Sequence, residues 1–267
     1  MSETFLNTLS TIILKFSHQE IIIPLVIVGY IWFNRGVFYG AICLVLLSML
    51  ANVALKITFK VPLAPHLGKE GYAFPSGHMQ LATVLYGWLI YKIPNTLLRM
   101  GLVILIALIG FSLIQAGYHD FKDILAAMGS ALLLITVFVV AQKNLNPKNF
   151  FYFPLLFALT ALWYIFTVQG TIPQHVWLAF YALMGFVLSD RLFAPSLQKT
   201  STQEKIFTTI LTFALVFALQ LIFTHPSVRI LPPYLNQLPW VLIGFALPMA
   251  PVLVRLFTKN SCLNKKS

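Results

Sequence analysis

Charge is scarce in this 267-residue chain. Only 9% of the residues are Asp, Glu, Lys or Arg, against 59% hydrophobic, and mean hydropathy is +0.85. A water-soluble domain cannot hide so much apolar surface, because even a large globule exposes many of its residues. The shortage of charge excludes that class and points to the bilayer, where lipid solvates the apolar outside of each helix. Acidic residues are scarcer still: seven stand against eighteen basic ones, for a net charge of +11. No basic run is interleaved with aromatics, so the excess is not that of a nucleic-acid binder. Lysine and arginine accumulate instead in the cytoplasmic loops of membrane proteins. Cysteine is nearly absent. Cys43 lies in an apolar run and Cys262 near the C-terminus, which excludes a disulfide framework and leaves no metal-ligand spacing. Met1 to Glu20 lacks both a basic start and a continuous apolar core, so no cleavable signal is expected.

Apolar runs make up the rest. Phe5, Leu6, Leu9, Ile12, Ile13 and Phe16 recur at three- and four-residue spacings, which predicts an amphipathic helix lying in the membrane interface. Runs of spanning quality follow at roughly 20–34, 37–57, 78–91, 97–116, 122–141, 150–168, 174–193, 206–223 and 238–257, several of them short of the about 20 residues that a full crossing takes, and the first interrupted by Pro24. The expected fold is all-α, a polytopic transmembrane helical bundle. Alternating the spans from the turn at Asn34–Gly36 puts Arg35, Lys92, Arg99, Lys143, Lys148, Arg191, Lys199, Lys205, Arg255, Lys259, Lys265 and Lys266 on one side. The other side receives only Lys15, Lys56, Lys60, Lys69, Lys122 and Arg229. Twelve against six makes the first side cytoplasmic. His18, His66, His78, His119, His175 and His225 all fall on or near the second side, which is where chemistry is to be sought.

Three polar stretches converge there by span parity. Lys56 to Pro62 ends the second span, Glu70 to His78 enters the third, and Gly117 to Asp123 joins the fourth to the fifth. Pro75-Ser76-Gly77-His78 reads as a turn opening a helix, whose free N–H groups and positive dipole end form an anion cradle. Ser76 can cap that helix, Gly77 lets a phosphate approach the backbone, and His78 can give a proton to a leaving oxygen. His119 and Asp123 are four apart and share a helix face. There the carboxylate fixes the imidazole tautomer and stabilises the cation formed when the other nitrogen attacks. Lys56 supplies positive charge for phosphate oxygens. Each feature alone has an ordinary explanation, since a rim histidine or a Pro-Ser-Gly turn is common. Their joint occurrence on one face is not ordinary, and ionisable residues at span ends carry a functional presumption.

These stretches resemble the three motifs of the type 2 phosphatidic acid phosphatases, and Phe74-Pro75-Ser76-Gly77-His78 is the most diagnostic. The family pattern is a lysine, six residues and Arg-Pro; then Pro-Ser-Gly-His; then Ser-Arg, five residues, histidine, three residues and aspartate. Lys56, Ser76, Gly77, His78, His119 and Asp123 match it by position. The resemblance implies that His119 is the nucleophile, Asp123 its orienter and His78 the general acid, with Lys56, Ser76, Gly77 and Lys60 binding substrate. It implies no metal and no cofactor. It also implies a catalytic core over residues 1–145 and a helical extension over 146–267, in a bacterial inner membrane with the site facing the periplasm.

The pattern is broken at both arginines. Leu63 and Ala64 stand where Arg-Pro belongs, and Leu113 follows Ser112 where the second arginine belongs. Leucine offers none of the forked donors of a guanidinium, and losing one such donor costs about 3–4 kcal/mol of transition-state stabilisation. Lys60, Lys69, Lys122 and His66 lie near enough in sequence to restore charge. The expected activity is lipid-phosphate hydrolysis or phosphotransfer through a phosphohistidine. The alternative is a non-catalytic protein that binds or transports a lipid phosphate, and a plain structural subunit leaves the three motifs unexplained.

Overall fold

The computed structural model describes residues 3–63, 65, 68, 71–193, 201–223 and 232–263. Of the residues named above, Ala64, His66, Lys69, Glu70, Lys199, His225, Arg229, Lys265 and Lys266 lie outside that set. The described chain is helical. Its elements are α1 (Glu3–Leu14), a 3-10 turn (Lys15–Ser17), α2 (Gln19–Trp32), α3 (Arg35–Phe59), α4 (Gly77–Lys92), α5 (Thr96–Gln115) and α6 (Phe121–Asn144). There follow the single turn α7 (Pro147–Phe150), then α8 (Tyr152–Gln169), α9 (Gln174–Phe193), α10 (Thr202–Phe223), the turn α11 (Pro233–Asn236) and α12 (Trp240–Leu263). Among the described residues, seven helices are long and apolar enough to cross a bilayer. Leu6–Ser17 and Gln19–Trp32 together make an eighth, with a 44° bend between them. The protein is thus a multi-pass, all-α membrane protein. Large apolar side chains left exposed, such as Leu97, Phe111, Leu133 and Trp163, are what lipid-facing helix surfaces present.

Two of the nine predicted spans are short. α2 has 14 residues and α4 has 16. α4 is buried nearly all round, with its Met79, Ala82, Val84, Leu85, Tyr86, Trp88 and Leu89 all in the core.

The chain divides into two compact units, residues 1–26 with 36–172, and residues 27–35 with 173–267. In the first, α4 is the hub and packs on α5 and α6. Trp88 is fully buried; its indole N–H donates to the Val37 carbonyl at 2.7 Å, and its ring meets Phe138 edge-on at 5.6 Å. Gly40 makes room, since a Cβ there would sit inside the indole. α1 lies along α5, where Gln115 donates to the Asn7 side chain at 3.1 Å and accepts from the Ser10 hydroxyl.

In the second unit α9 and α12 cross with their backbones in contact. A Cβ at Gly185 would collide with the Val241 carbonyl, and one at Gly244 with the Ala182 carbonyl. Small residues allow this approach where lipid removes the hydrophobic drive between helices. Ser189 donates across the seam to the Phe245 carbonyl at 2.7 Å. Asp190 accepts from Tyr30 at 2.6 Å and from Arg35 at 2.6 Å, which pairs a charge that an apolar setting would otherwise leave costly. Gly244→Leu is expected to destabilise the protein by about 1–3 kcal/mol or more through overpacking. Gly129→Leu, at a position with open space, is expected to leave the unfolding temperature in detergent unchanged. Equal melting of the two variants would refute the seam's importance.

Candidate active site

The end of α3 sets the first part of the site. The helix stops at Phe59 because Lys60 takes a left-handed conformation, φ 51°, and the chain turns back on itself. The returning strand is fastened by its backbone: Ala73 N–H donates to the Val61 carbonyl at 2.8 Å, and Leu63 N–H to Gly71 at 3.1 Å. Lys56, one turn before the helix end, extends its ammonium to the Tyr72 carbonyl at 2.8 Å. That bond uses one of three ammonium donors and leaves two. Lys60 is exposed.

The second part is the start of α4. Ser76 is fully buried and caps the helix, its hydroxyl accepting from Met79 N–H at 3.4 Å. Beneath it lies a pair of buried amides that the sequence did not single out. Asn52 donates to the Pro75 carbonyl at 3.3 Å and to Gln80 Oε1 at 2.9 Å, and Gln80 donates to the Ser48 carbonyl at 3.3 Å. Gly77 abuts this clamp, since an added Cβ would lie 3.1 Å from Asn52 Oδ1. His78 is exposed at the rim. Asn52 could have been found by its setting, because a polar amide inside an apolar span needs a partner there.

The third part opens α6. His119 Nδ1 lies 3.0 Å from Asp123 Oδ2, and both side chains are largely buried, 8% and 11% exposed. The same carboxylate accepts from Asp120 N–H at 3.3 Å, starting the helix, while the Asp123 carbonyl accepts from Ser76 N–H at 3.3 Å. Asp123 therefore ties the second part to the third. Burial pushes the His119 imidazole below the usual histidine range, against the opposing pull of its hydrogen bond to Asp123. With Nδ1 facing the carboxylate, Nε2 keeps its lone pair for an electrophile.

Lys56, Ser76, Gly77, His78, His119 and Asp123 are thus gathered at one end of the unit, where burial and then the charges of His18, His119 and Lys56 push the His78 imidazole down to about 4. Both leucines stand outside this chemistry: Leu113 is buried in α5 at 2% exposure, and Leu63 is half-buried in the returning strand. A further histidine was seen in the sequence without a role. The His18 ring lies 5.0 Å from that of His78. Among the described residues no group of three or more His, Cys, Asp or Glu is arranged to hold a metal ion.

The family model of the PAP2 superfamily matches residues 36–147, a stretch that takes in nearly all of α3, then α4 to α6, and all three parts of the site. No curated protein and no solved structure matches the chain.

Proposed function

Because residues 36–147 match the model of the PAP2 superfamily, a phosphatase-type family, we propose that the protein hydrolyses membrane lipid phosphates through a phosphohistidine on His119. The observation that carries this reading is the 3.0 Å bond between His119 Nδ1 and Asp123, beside the capped start of α4. A phosphate monoester seated on the free N–H groups of that start presents its phosphorus to His119 Nε2. The N–P bond forms as the ester P–O bond breaks, and His78, whose imidazolium is favoured once the anionic phosphate is bound beside it, gives its proton to the departing alkoxide. Water then attacks phosphorus, loses a proton to His78 and releases orthophosphate, which restores both histidines. Lys56 carries the positive charge that these steps need, and Lys60 adds charge at the rim. The surrounding membrane helices support a lipid as the alcohol. The weight of basic residues at the other ends of these helices, Lys92, Arg99, Lys143 and Lys148, supports a site facing the periplasm of a bacterial inner membrane. Residues 146–267 would then extend the catalytic core.

One observation favours a second reading, a protein that binds lipid phosphate without turnover: no guanidinium stands at position 63 or 113. Purified protein in detergent micelles separates the two. Phosphate release from long-chain lipid monophosphates is expected, and a brief pulse with phosphorus-labelled substrate should leave acid-labile label on His119. The nucleophile must be neutral, and burial favours its neutral form. The acid limb of kcat/KM assigned to it is therefore expected below the ordinary imidazole value of about 6.5. Absence of both release and label would overturn the enzymatic reading.

A further inference from the structure

His18 stands outside residues 36–147 and outside every motif, yet its position is fixed from several directions. Its ring centroid lies 5.0 Å from that of His78, with the planes tilted by 39°. The chain reaches this point through a corner tied to the hub helix. Tyr86 donates its hydroxyl to the Phe16 carbonyl at 2.6 Å, and buried Ser17 donates to the Leu14 carbonyl at 2.7 Å. His18 itself is extended, φ −102° and ψ 158°, and its carbonyl accepts from Ile21 and Ile22, which starts α2. Its Nδ1 lies 3.7 Å from the Glu20 carboxylate, too far for a hydrogen bond that would fix the proton there, so Nε2 is free to carry the proton toward another partner. The side chain is 42% exposed, open to a ligand arriving at the rim beside His78.

We propose that His18 is a substrate-contacting residue, donating from Nε2–H to an oxygen of the phosphoryl group held at His78. This inference rests on the phosphate-ester reading of the site. It answers a deficit in that site: two positions that should carry forked donors carry leucine, one of them buried in the core. The replacement donor comes from the first bent helix pair, and it is a single donor on a rigid ring rather than a fork. Such a donor stabilises a phosphoryl dianion in the ground state and the extra charge that gathers on its oxygens during transfer.

Two substitutions separate this role from ring packing. His18→Phe keeps an aromatic ring against His78 and removes both donors; His18→Gln removes the ring and keeps a donor. Both are compared with wild-type, full-length protein in detergent micelles, by kcat/KM on dipalmitoyl phosphatidate and by calorimetric binding of inorganic phosphate. The expected result is a loss on the order of 10- to 100-fold in His18→Phe in both measurements, with most of it recovered in His18→Gln. A His18→Phe protein within twofold of wild type in both, or a His18→Gln protein no better than His18→Phe, overturns the proposal. Failure of the phosphatase reading is distinguishable. If wild type releases no phosphate, the binding measurement decides alone: weakened affinity in His18→Phe upholds the contact. Unchanged affinity, or no binding by wild type, rejects it.

Discussion

Replacement of His119 by alanine is expected to reduce phosphate release to background, a loss on the order of a million-fold. His119 is held by a carboxylate hydrogen bond beside the start of α4, as a nucleophile requires. Asp123→Asn is expected to fall less far, by roughly ten-thousand-fold, for a reason visible in the bonds. The Asp123 carboxylate accepts from both His119 and Asp120 N–H. Both bonds end on Oδ2, so an asparagine that keeps its carbonyl oxygen there still accepts from both and loses the negative charge that steadies the phosphorylated imidazolium. The geometry is kept while that charge is lost, as when a triad aspartate is amidated. The Asp123 carbonyl still accepts from Ser76, so this variant should fold. Phosphate release over hours, together with thermal unfolding in detergent, checks both. Substantial hydrolysis by His119→Ala would end the phosphohistidine reading.

Lys56→Ala is expected to lose about 1,000-fold in kcat/KM. The substitution removes two things at once, the fastening to the Tyr72 carbonyl and the motif's only remaining cation in a setting of low dielectric. Lys56→Arg keeps both kinds of contact and should retain far more activity than Lys56→Ala. If the protein only binds, no variant changes release, while Lys56→Ala still weakens affinity for inorganic phosphate. Normal turnover in Lys56→Ala would mean that the charge comes from elsewhere in the cluster.

Local spacing made much of the bundle legible in the sequence. The contact of His119 with Asp123 follows from a separation of four on a helix, and the cap at Ser76 from a Pro-Ser-Gly turn before an apolar run. The membrane class follows from composition. What was not legible depends on distance along the chain. Asn52 and Gln80 sit 28 residues apart and look like isolated polar interruptions until α3 and α4 are packed. His18 comes within 5.0 Å of His78 only because a bent helix pair delivers it. The hydrophobic pattern of Phe5 to Phe16 describes an amphipathic helix, and the partner along its length, α5, is specified by Asn7, Ser10 and Gln115, which carry no periodic signal. Periodicity also says nothing about the depth of α4, a helix too short to span unless others surround it.

The described residues between α3 and α4 are held largely through main-chain atoms, with the Phe74 ring set edge-on against Phe59 at 5.0 Å. Lys56 reaches the carbonyl of Tyr72, Asn52 that of Pro75, and Ala73 and Leu63 pair through their own amides. None of these fastenings reads the side chain of Tyr72 or Val61. Natural drift can therefore redecorate the side chains at this edge of the unit while the histidines stay in register. A lineage built this way can change its surface without rebuilding its machinery.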